Sequence, residues 1–314
     1  MINPEEIHSQ FQKNNHIVLK ESETLTELKQ LPNNTFKLIV SSPPYNIGKE
    51  YEKQTALEYY LEWQQEIITE LCRLVTTDGN IIWQVGNFIN NGEVFPLDIY
   101  FYPIFKALGM QLRNRIVWHF DHGLHASKRF SGRYEVLLWF TKTKDYTFNL
   151  DSVRVPSKYP GKLHYKGKKI GQPSGNPLGK NPSDYWQLIC QEWETGIMEI
   201  PNVKSNHPEK TEHPCQFPIE LVERCVLALT NEDDWVLDPF GGVGSSVIAA
   251  IKHKRRGMAI DREPKYLEIA KNRINSFYAG TLKIRPLGKP VHKPRGHEKI
   301  VQIPKEWLNE YQER

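Results

Sequence analysis

The sequence is poor in cysteine, and its four cysteines, Cys72, Cys190, Cys215 and Cys225, form no C-x-x-C pair. That spacing argues against a structural zinc site and against a redox dithiol. A reducing, cytoplasmic compartment is the simplest expectation. No apolar run approaches the roughly 20 residues that cross a bilayer. The opening MINPEEIHSQ lacks a basic segment followed by an apolar one, so no signal peptide is expected. The G-x-G-x-x-G fingerprint of dinucleotide enzymes is missing, and GNPLGK, ending at Lys180, lacks the spacing of a phosphate loop. His119, His122 and His125 cluster in sequence without a metal-ligand spacing, so they read as part of a His- and Lys-rich loop and no metal is expected. Acidic residues are absent from Ser152 to Ser183, where seven basic side chains stand. No internal repeat is found.

What remains is a chain of 314 residues, 39% hydrophobic and 25% charged, with a net charge of +4. This fits a globular protein with one large domain, or a domain carrying an insertion. A mildly basic balance permits nucleic acid as a partner without demonstrating it.

Strand and helix patterns alternate. HIVL (His16 to Leu19) and FKLIVSS (Phe36 to Ser42) read as short buried strands around LTELKQLP, a helical turn stopped by Pro32. Leu57 to Val75 has helical apolar spacing, with Asp78-Gly79-Asn80 as its expected stop and NIIWQVG as the next strand. A helix near Pro96 to Leu108 precedes the strand QLRNRIVWHF, and Tyr134 to Lys142 is another strand. After a basic, irregular stretch extending to about Lys210, the pattern resumes. It gives a helix (Pro218 to Leu229), a strand (WVLD), a helix (Ser245 to His253), a strand (GMAID) and a helix (Pro264 to Phe277). Such alternation predicts an α/β protein with a mainly parallel sheet.

VLDPFGGVGSSVIAA (Val236 to Ala250) is strand, glycine turn, helix. Its glycines let the backbone approach a ligand, and Asp261 at the end of the next strand suits ribose hydroxyls. Alone, this is also what a tight turn in any α/β protein looks like.

LIVSSPPY (Leu38 to Tyr45) ends a strand in a stiff corner, because each proline fixes its own φ and extends the residue before it. The corner offers a Ser42 hydroxyl, a Pro43 carbonyl and the face of Tyr45. Two acceptors aimed at the N–H bonds of a nucleobase amino group would free its delocalised lone pair for attack on a methyl-sulfonium. Tyr45 would stack on a base flipped from its duplex. A plain strand-ending Pro-Pro turn would look the same in isolation.

Together, SSPPY and DPFGGVG resemble the catalytic and cofactor motifs of the S-adenosylmethionine-dependent amino-methyltransferases of DNA, in the order of the circularly permuted β class. HPCQFPIELVERCVLAL, from His213, resembles the segment that precedes the cofactor motif and covers the methionine moiety. SKRFSGRYEVLLWFTK, from Ser127, resembles the strand and loop beside the flipped base. The resemblance spans roughly residues 16 to 280. It implies a Rossmann-like methyltransferase fold with a seven-stranded, mainly parallel, permuted sheet. The expected parts are a catalytic half (1–150), a target-recognition insertion (151–210), a cofactor-binding half (211–280) and a basic tail (281–314).

By resemblance, Ser42, Pro43, Pro44 and Tyr45 are catalytic. Glu23, Ser41, Phe217, Asp238, Pro239, Phe240, Gly241, Gly242, Gly244, Ser245 and Asp261 would bind S-adenosylmethionine, leaving S-adenosylhomocysteine as product. At Glu23 the chain departs from the family's G-D-C, having S-E-T. Arg129, Arg133, Lys158, Lys162, Lys166, Lys168, Lys169 and Lys180 would contact double-stranded DNA. Ser-Pro-Pro-Tyr favours cytosine-N4 over adenine-N6 as target. A bacterial or phage restriction-modification setting follows, with a cognate endonuclease and a homodimer as candidate associations and no membrane partner. Pro214-Cys215-Gln216 imitates the nucleophile motif of cytosine carbon-5 enzymes, but it precedes the glycine motif, and amino transfer needs no covalent intermediate. Cys215 is therefore assigned a packing role. Two readings of other classes stay open: a nicotinamide-dependent oxidoreductase, separable by a cofactor-binding screen, and a non-catalytic DNA-binding module, separable by a methyl-transfer assay.

Overall fold

The computed structural model describes residues 6–48, 54–120, 125–187, 203 and 207–289. His122, Cys190, residues 188–202 of the insertion and the tail beyond 289 lie outside them.

In chain order the main elements are β1 (Ile7–His8), β2 (Ile17–Glu21), α1 (Thr24–Leu28), β3 (Phe36–Ser41), α2 (Leu57–Leu74), β4 (Val75–Val85), β5 (Asn87–Asn90), β6 (Glu93–Pro96) and α3 (Leu97–Ala107). There follow β7 (Gln111–His119), β8 (Tyr134–Thr141), β9 (Tyr185–Gln187), α4 (Ile219–Leu229), β10 (Trp235–Asp238), α5 (Ser245–Lys252), β11 (Arg256–Asp261) and α6 (Pro264–Tyr278). One sheet of nine strands runs β1-β2-β11-β10-β3-β4-β8-β7-β9, and only β8 is antiparallel to its neighbours.

This sheet extends the predicted seven strands at both edges, with β1 and β9. β9 also corrects the reading of the insertion as irregular. Trp186 is buried while Tyr185 is exposed, and the strand pairs with β7 (Val117 with Tyr185, Trp118 with Trp186). Val153, Val155 and Trp186 join the core through it.

The strands are covered on both faces, as parallel sheets require. Leu38, Val40 and Val236 turn to one side, against Val226 of α4 and Ile248 of α5. Ile39, Ile81, Trp83 and Leu237 turn to the other, against Ile67 and Leu71 of α2 and Phe105 of α3. The N-terminal and C-terminal parts are interleaved. β10 pairs with β3 (Val236 with Leu38) and β11 with β2 (Gly257 with Ile17). As a result, the ends of β2, β11, β10, β3 and β4 and the start of β8 meet at one edge, where open α/β sheets place their ligands.

Asp78-Gly79-Asn80 does not terminate α2. The helix stops at Leu74, and Val75 is already extended (φ −67°, ψ 141°). The triplet lies within β4 and absorbs a shift in register, with Phe36 opposite Val75 but Leu38 opposite Asn80. A Cβ at Gly79 would lie 2.9 Å from the Lys37 carbonyl, so the strand needs glycine there. Asn80 is fully buried, accepting from Trp139 Nε1 (2.9 Å) and donating to the Leu229 carbonyl (3.2 Å). No helix among the described residues is long and apolar enough to cross a membrane.

Candidate active site

A cavity of about 700 Å³ opens at this sheet edge. At one end stand Glu23, Asp261 and Glu263, and at the other Ser42, Pro43, Pro44, Tyr45, Gln84 and Glu135. Between them lie Phe240, Gly241, Gly242, Val243 and Ser245, with His213 to Phe217 and Tyr266 alongside.

The carboxylate end is built by register. β2 and β11 pair in parallel, with Glu21 opposite Asp261, and Ser22 N–H donates to the Asp261 carbonyl (3.1 Å). Glu23, two residues on, caps α1 through Thr26 N–H (2.8 Å) and lines the cavity. Asp261 accepts from Gly242 N–H (2.8 Å) and Glu263 N–H (2.9 Å), so its orientation is fixed. Burial raises the pKa of its carboxyl above the usual range.

The glycine turn is held from behind. Asp238 is fully buried and faces away from the cavity. Its carboxylate accepts from Ser41 Oγ (2.5 Å), Ser246 Oγ (2.6 Å) and Phe240 N–H (3.1 Å). Burial pushes this carboxyl up to about 6, against the pull of those three donors. Arg273 of α6, 6% exposed, donates to the Val243 carbonyl and to Ser245 Oγ (3.2 Å), bracing the turn from a third side. Gly242 and Gly244 have φ of 48° and 74°, a region that costs other residues energy. A Cβ at Gly242 would come 3.2 Å from His213 Nε2, so a bare backbone faces the cavity there.

Of the eleven residues assigned to the cofactor from the sequence, Glu23, Phe217, Phe240, Gly241, Gly242, Ser245 and Asp261 line this cavity. Ser41, Asp238, Pro239 and Gly244 lie behind it. The Asp238 carboxylate, with its Ser41 partner, is occupied in shaping the turn, and Pro239 O accepts from Thr24 Oγ1 (2.9 Å).

The corner is equally braced. The Pro44 carbonyl accepts from Tyr60 of α2 (2.7 Å), and Asn46 (φ 61°, 2% exposed) holds Thr55 through its backbone N–H and carbonyl (2.7 and 2.8 Å). Ser42 Oγ and Tyr45 Oη share a hydrogen bond of 2.8 Å, and Tyr45 Oη reaches Glu135 Oε2 at 3.4 Å. Gln84 Nε2 donates to that same Glu135 oxygen at 2.6 Å. A Cβ at Gly86 would touch the Tyr45 ring at 3.0 Å, so glycine leaves room for the ring.

Sequence reasoning missed Gln84, Glu135, Trp63, Trp118, Tyr266 and the specific part of His213, all of which line the cavity. Gln84 and Glu135 sit at strand ends, where only pairing brings them opposite the corner (Gln84 with Leu137, Val85 with Val136). His213 packs edge-on against Tyr266 (4.5 Å) and accepts at Nδ1 from Cys215 N–H (3.2 Å). Burial and the neighbouring Lys210 and Arg273 lower its pKa to about 4, so it is neutral at pH 7. Cys215, assigned to packing, is instead exposed and borders the cavity.

Arg129, Lys158, Lys162, Lys166, Lys168, Lys169 and Lys180 are exposed and Arg133 is half-buried; none lines the cavity. Lys158 and Lys166 lie over the rings of Tyr159 and Tyr165 (5.5 Å each). Among the described residues no group of His, Cys, Asp and Glu is arranged to hold a metal ion.

The chemistry of this lining is compatible with a nucleoside. It offers fixed carboxylate acceptors, a bare backbone at its centre and the aromatic ring of Phe240. The comparisons agree. The DNA methylase family model matches residues 36–272. The chain is 46% identical to the type II methyltransferase M.BglII of Bacillus subtilis over 268 residues, 85% of this chain and 71% of that one. It is 29% identical to the DNA adenine methyltransferase YhdJ of Escherichia coli (strain K12), over 81% of each chain. In fold it is similar to the solved PvuII DNA methyltransferase (cytosine-N4-specific), with a TM-score of 0.61 and 18% identity over 84% of this chain and 92% of that one. Proteins similar to this chain thus include one described as acting on adenine and one as specific for cytosine-N4. The chain belongs to the DNA methylase family, the S-adenosylmethionine-dependent amino-methyltransferases of DNA found in restriction-modification systems.

Proposed function

We propose that the enzyme methylates the exocyclic N4 of a flipped cytosine within a specific duplex site, protecting host DNA from a cognate endonuclease. The observation that carries the target base is Ser42. A neutral hydroxyl, not a carboxylate, heads the corner, as is usual in the cytosine-N4 members of the family.

In this reading S-adenosylmethionine, when bound, supplies an electrophilic methyl group on a positively charged sulfur. Asp261 accepts from the ribose hydroxyls, and Glu23 lies toward the adenine. Phe240 and Phe217 wall the site, while the backbone at Gly241 and Gly242 allows close approach. Asp238, Ser41 and Arg273 act one step removed, by fixing the turn. At the other end Ser42 Oγ and the Pro43 carbonyl accept from the cytosine amino group, localising its lone pair toward the methyl group. Tyr45 stacks on the ring. The braces from Tyr60 and Asn46 keep these dipoles fixed, so little reorganisation accompanies the reaction. The exposed lysines of the insertion, with Arg129 and Arg133, neutralise phosphates and give salt-dependent affinity.

Nucleoside analysis of DNA from cells expressing the chain, with sequencing that detects modified bases, tests this reading. N4-methylcytosine at one recurring site is expected. N6-methyladenine would overturn the assignment of Ser42 to cytosine and leave amino transfer intact.

A further inference from the structure

The strands β7 and β8 end in a loop whose two stems belong to the cavity wall. Phe120 lines the cavity from one stem and Glu135 from the other, and Phe120 N–H donates to the Arg133 carbonyl (2.8 Å). Within the loop, Ala126 N–H donates to Ser131 Oγ (3.1 Å), and Arg129 Nη1 reaches the Phe130 carbonyl (3.3 Å). The first of these bonds ties residue 126 to residue 131, and Phe130 between them is 99% exposed.

Among the described large hydrophobic residues none is more exposed. A fully solvated phenyl ring contributes nothing to the fold, and this one stands between Arg129 and Ser131, with Lys128 and Arg133 close by. The basic neighbours match a polyanion, and the ring matches something flat and apolar. A duplex with one base turned out offers both, namely phosphates on the outside and a vacated slot between stacked base pairs. Side chains that insert into base stacks are of this kind.

We propose that Phe130 is the wedge of this enzyme: its ring enters the stack at the position the target base vacates, while Lys128 and Arg129 hold the flanking phosphates. The proposal rests on the reading that the target base is flipped into the cavity. Its ligand is double-stranded DNA at the site being modified. Tyr59, 70% exposed and itself lining the cavity, is the competing ring.

The test uses the full chain and two duplexes that carry its mapped site. One is fully paired, and in the other the target nucleotide faces an abasic position. Single-turnover methylation is measured on both, together with fluorescence of 2-aminopurine placed at the target position in the presence of S-adenosylhomocysteine. For Phe130→Ala a loss of about tenfold or more in rate is expected on the paired duplex, the scale of one lost stacking contact. Little loss is expected on the abasic one, whose target is already loosened. The 2-aminopurine signal of the paired duplex should fall in parallel, and Phe130→Trp should restore both. Equal losses on the two duplexes, no loss on either, or the same pattern from Tyr59→Ala in place of Phe130→Ala overturns the wedge. A wild-type protein that methylates both duplexes equally fast, with a silent 2-aminopurine signal, would overturn base flipping itself and the wedge with it.

Discussion

The glycine turn in the middle of the cavity and the Pro-Pro corner at one end of it are built on opposite plans. Around the glycine turn, side-chain polarity points inward. Asp238 gathers Ser41, Ser246 and Phe240 N–H, Arg273 takes the Val243 carbonyl, and a ligand meets mostly backbone. At the Pro-Pro corner it is the backbone that is held, by Tyr60 and Asn46, while the hydroxyls of Ser42 and Tyr45 and the Glu135 carboxylate face the cavity. The difference suits the tasks proposed for them. Holding a cofactor needs a shape that does not change, whereas activating an amino group needs acceptors aimed at particular protons.

Substitution should therefore damage stability at the turn and rate at the corner. The largest effect is expected for Asp238→Ala, which leaves two buried hydroxyls and an N–H without partners. A loss of about 3 kcal/mol is expected, read as a lower midpoint in urea with S-adenosylmethionine binding weakened alongside. A variant of normal stability that fails only in catalysis would erase the contrast. Ser42→Ala should do the reverse. Cofactor affinity by calorimetry and the urea midpoint stay unchanged, and single-turnover methyl transfer slows by about 10²-fold, the lower range for one preorganised contact to a transition state.

Tyr45 sharpens the comparison within the corner. Tyr45→Ala removes a stacking surface worth roughly 1–3 kcal/mol. Tyr45→Phe keeps the ring and loses the hydroxyl that bonds Ser42 and Glu135, so a smaller decrease in rate, several-fold, is expected. Equal damage from the two variants would mean that the hydroxyl, through Glu135, takes part in the chemistry and that stacking is secondary.

A separate effect concerns pH. His213 has its pKa lowered to about 4 in the fold, against a usual value of 6.5. Between these values the unfolded chain binds a proton that the folded one refuses, so stability contributed at this site is present above pH 6.5 and is lost as pH falls towards 4. His213→Asn lacks that proton. The wild type should lose stability relative to the variant over this window, in urea titrations at stepped pH. A constant difference would mean that His213 takes its proton equally well folded and unfolded.

Much of this was legible in the residues. Apolar periodicity located most of the central strands and helices within a residue or two, because burial on both faces leaves long apolar runs, although β4 begins five residues before the expected NIIWQVG. SSPPY and DPFGGVG declared their corners because proline and glycine restrict or release the backbone whatever surrounds them. The β5–β6 hairpin was legible too, in the Asn91-Gly92 pair with its positive φ values (49° and 85°), but it went unread. Asp78-Gly79-Asn80 misled because a glycine after a helix signals a stop, and nothing local reveals that the Lys37 carbonyl will press against it.

By itself the sequence determined most of the strands and helices, the two corners and the kinds of atom each could offer, since these depend on backbone restriction and burial along a few consecutive residues. Only the tertiary structure decided which of those atoms meet a ligand. Asp238 and Asp261 both end strands beside the same glycine turn, yet one is enclosed by Ser41 and Ser246 while the other borders the cavity. Glu135 lies ninety residues from Tyr45 in the chain and 3.4 Å from it in space. Strand pairing across the sheet sets both outcomes, and pairing is a property of residues that are not neighbours in sequence.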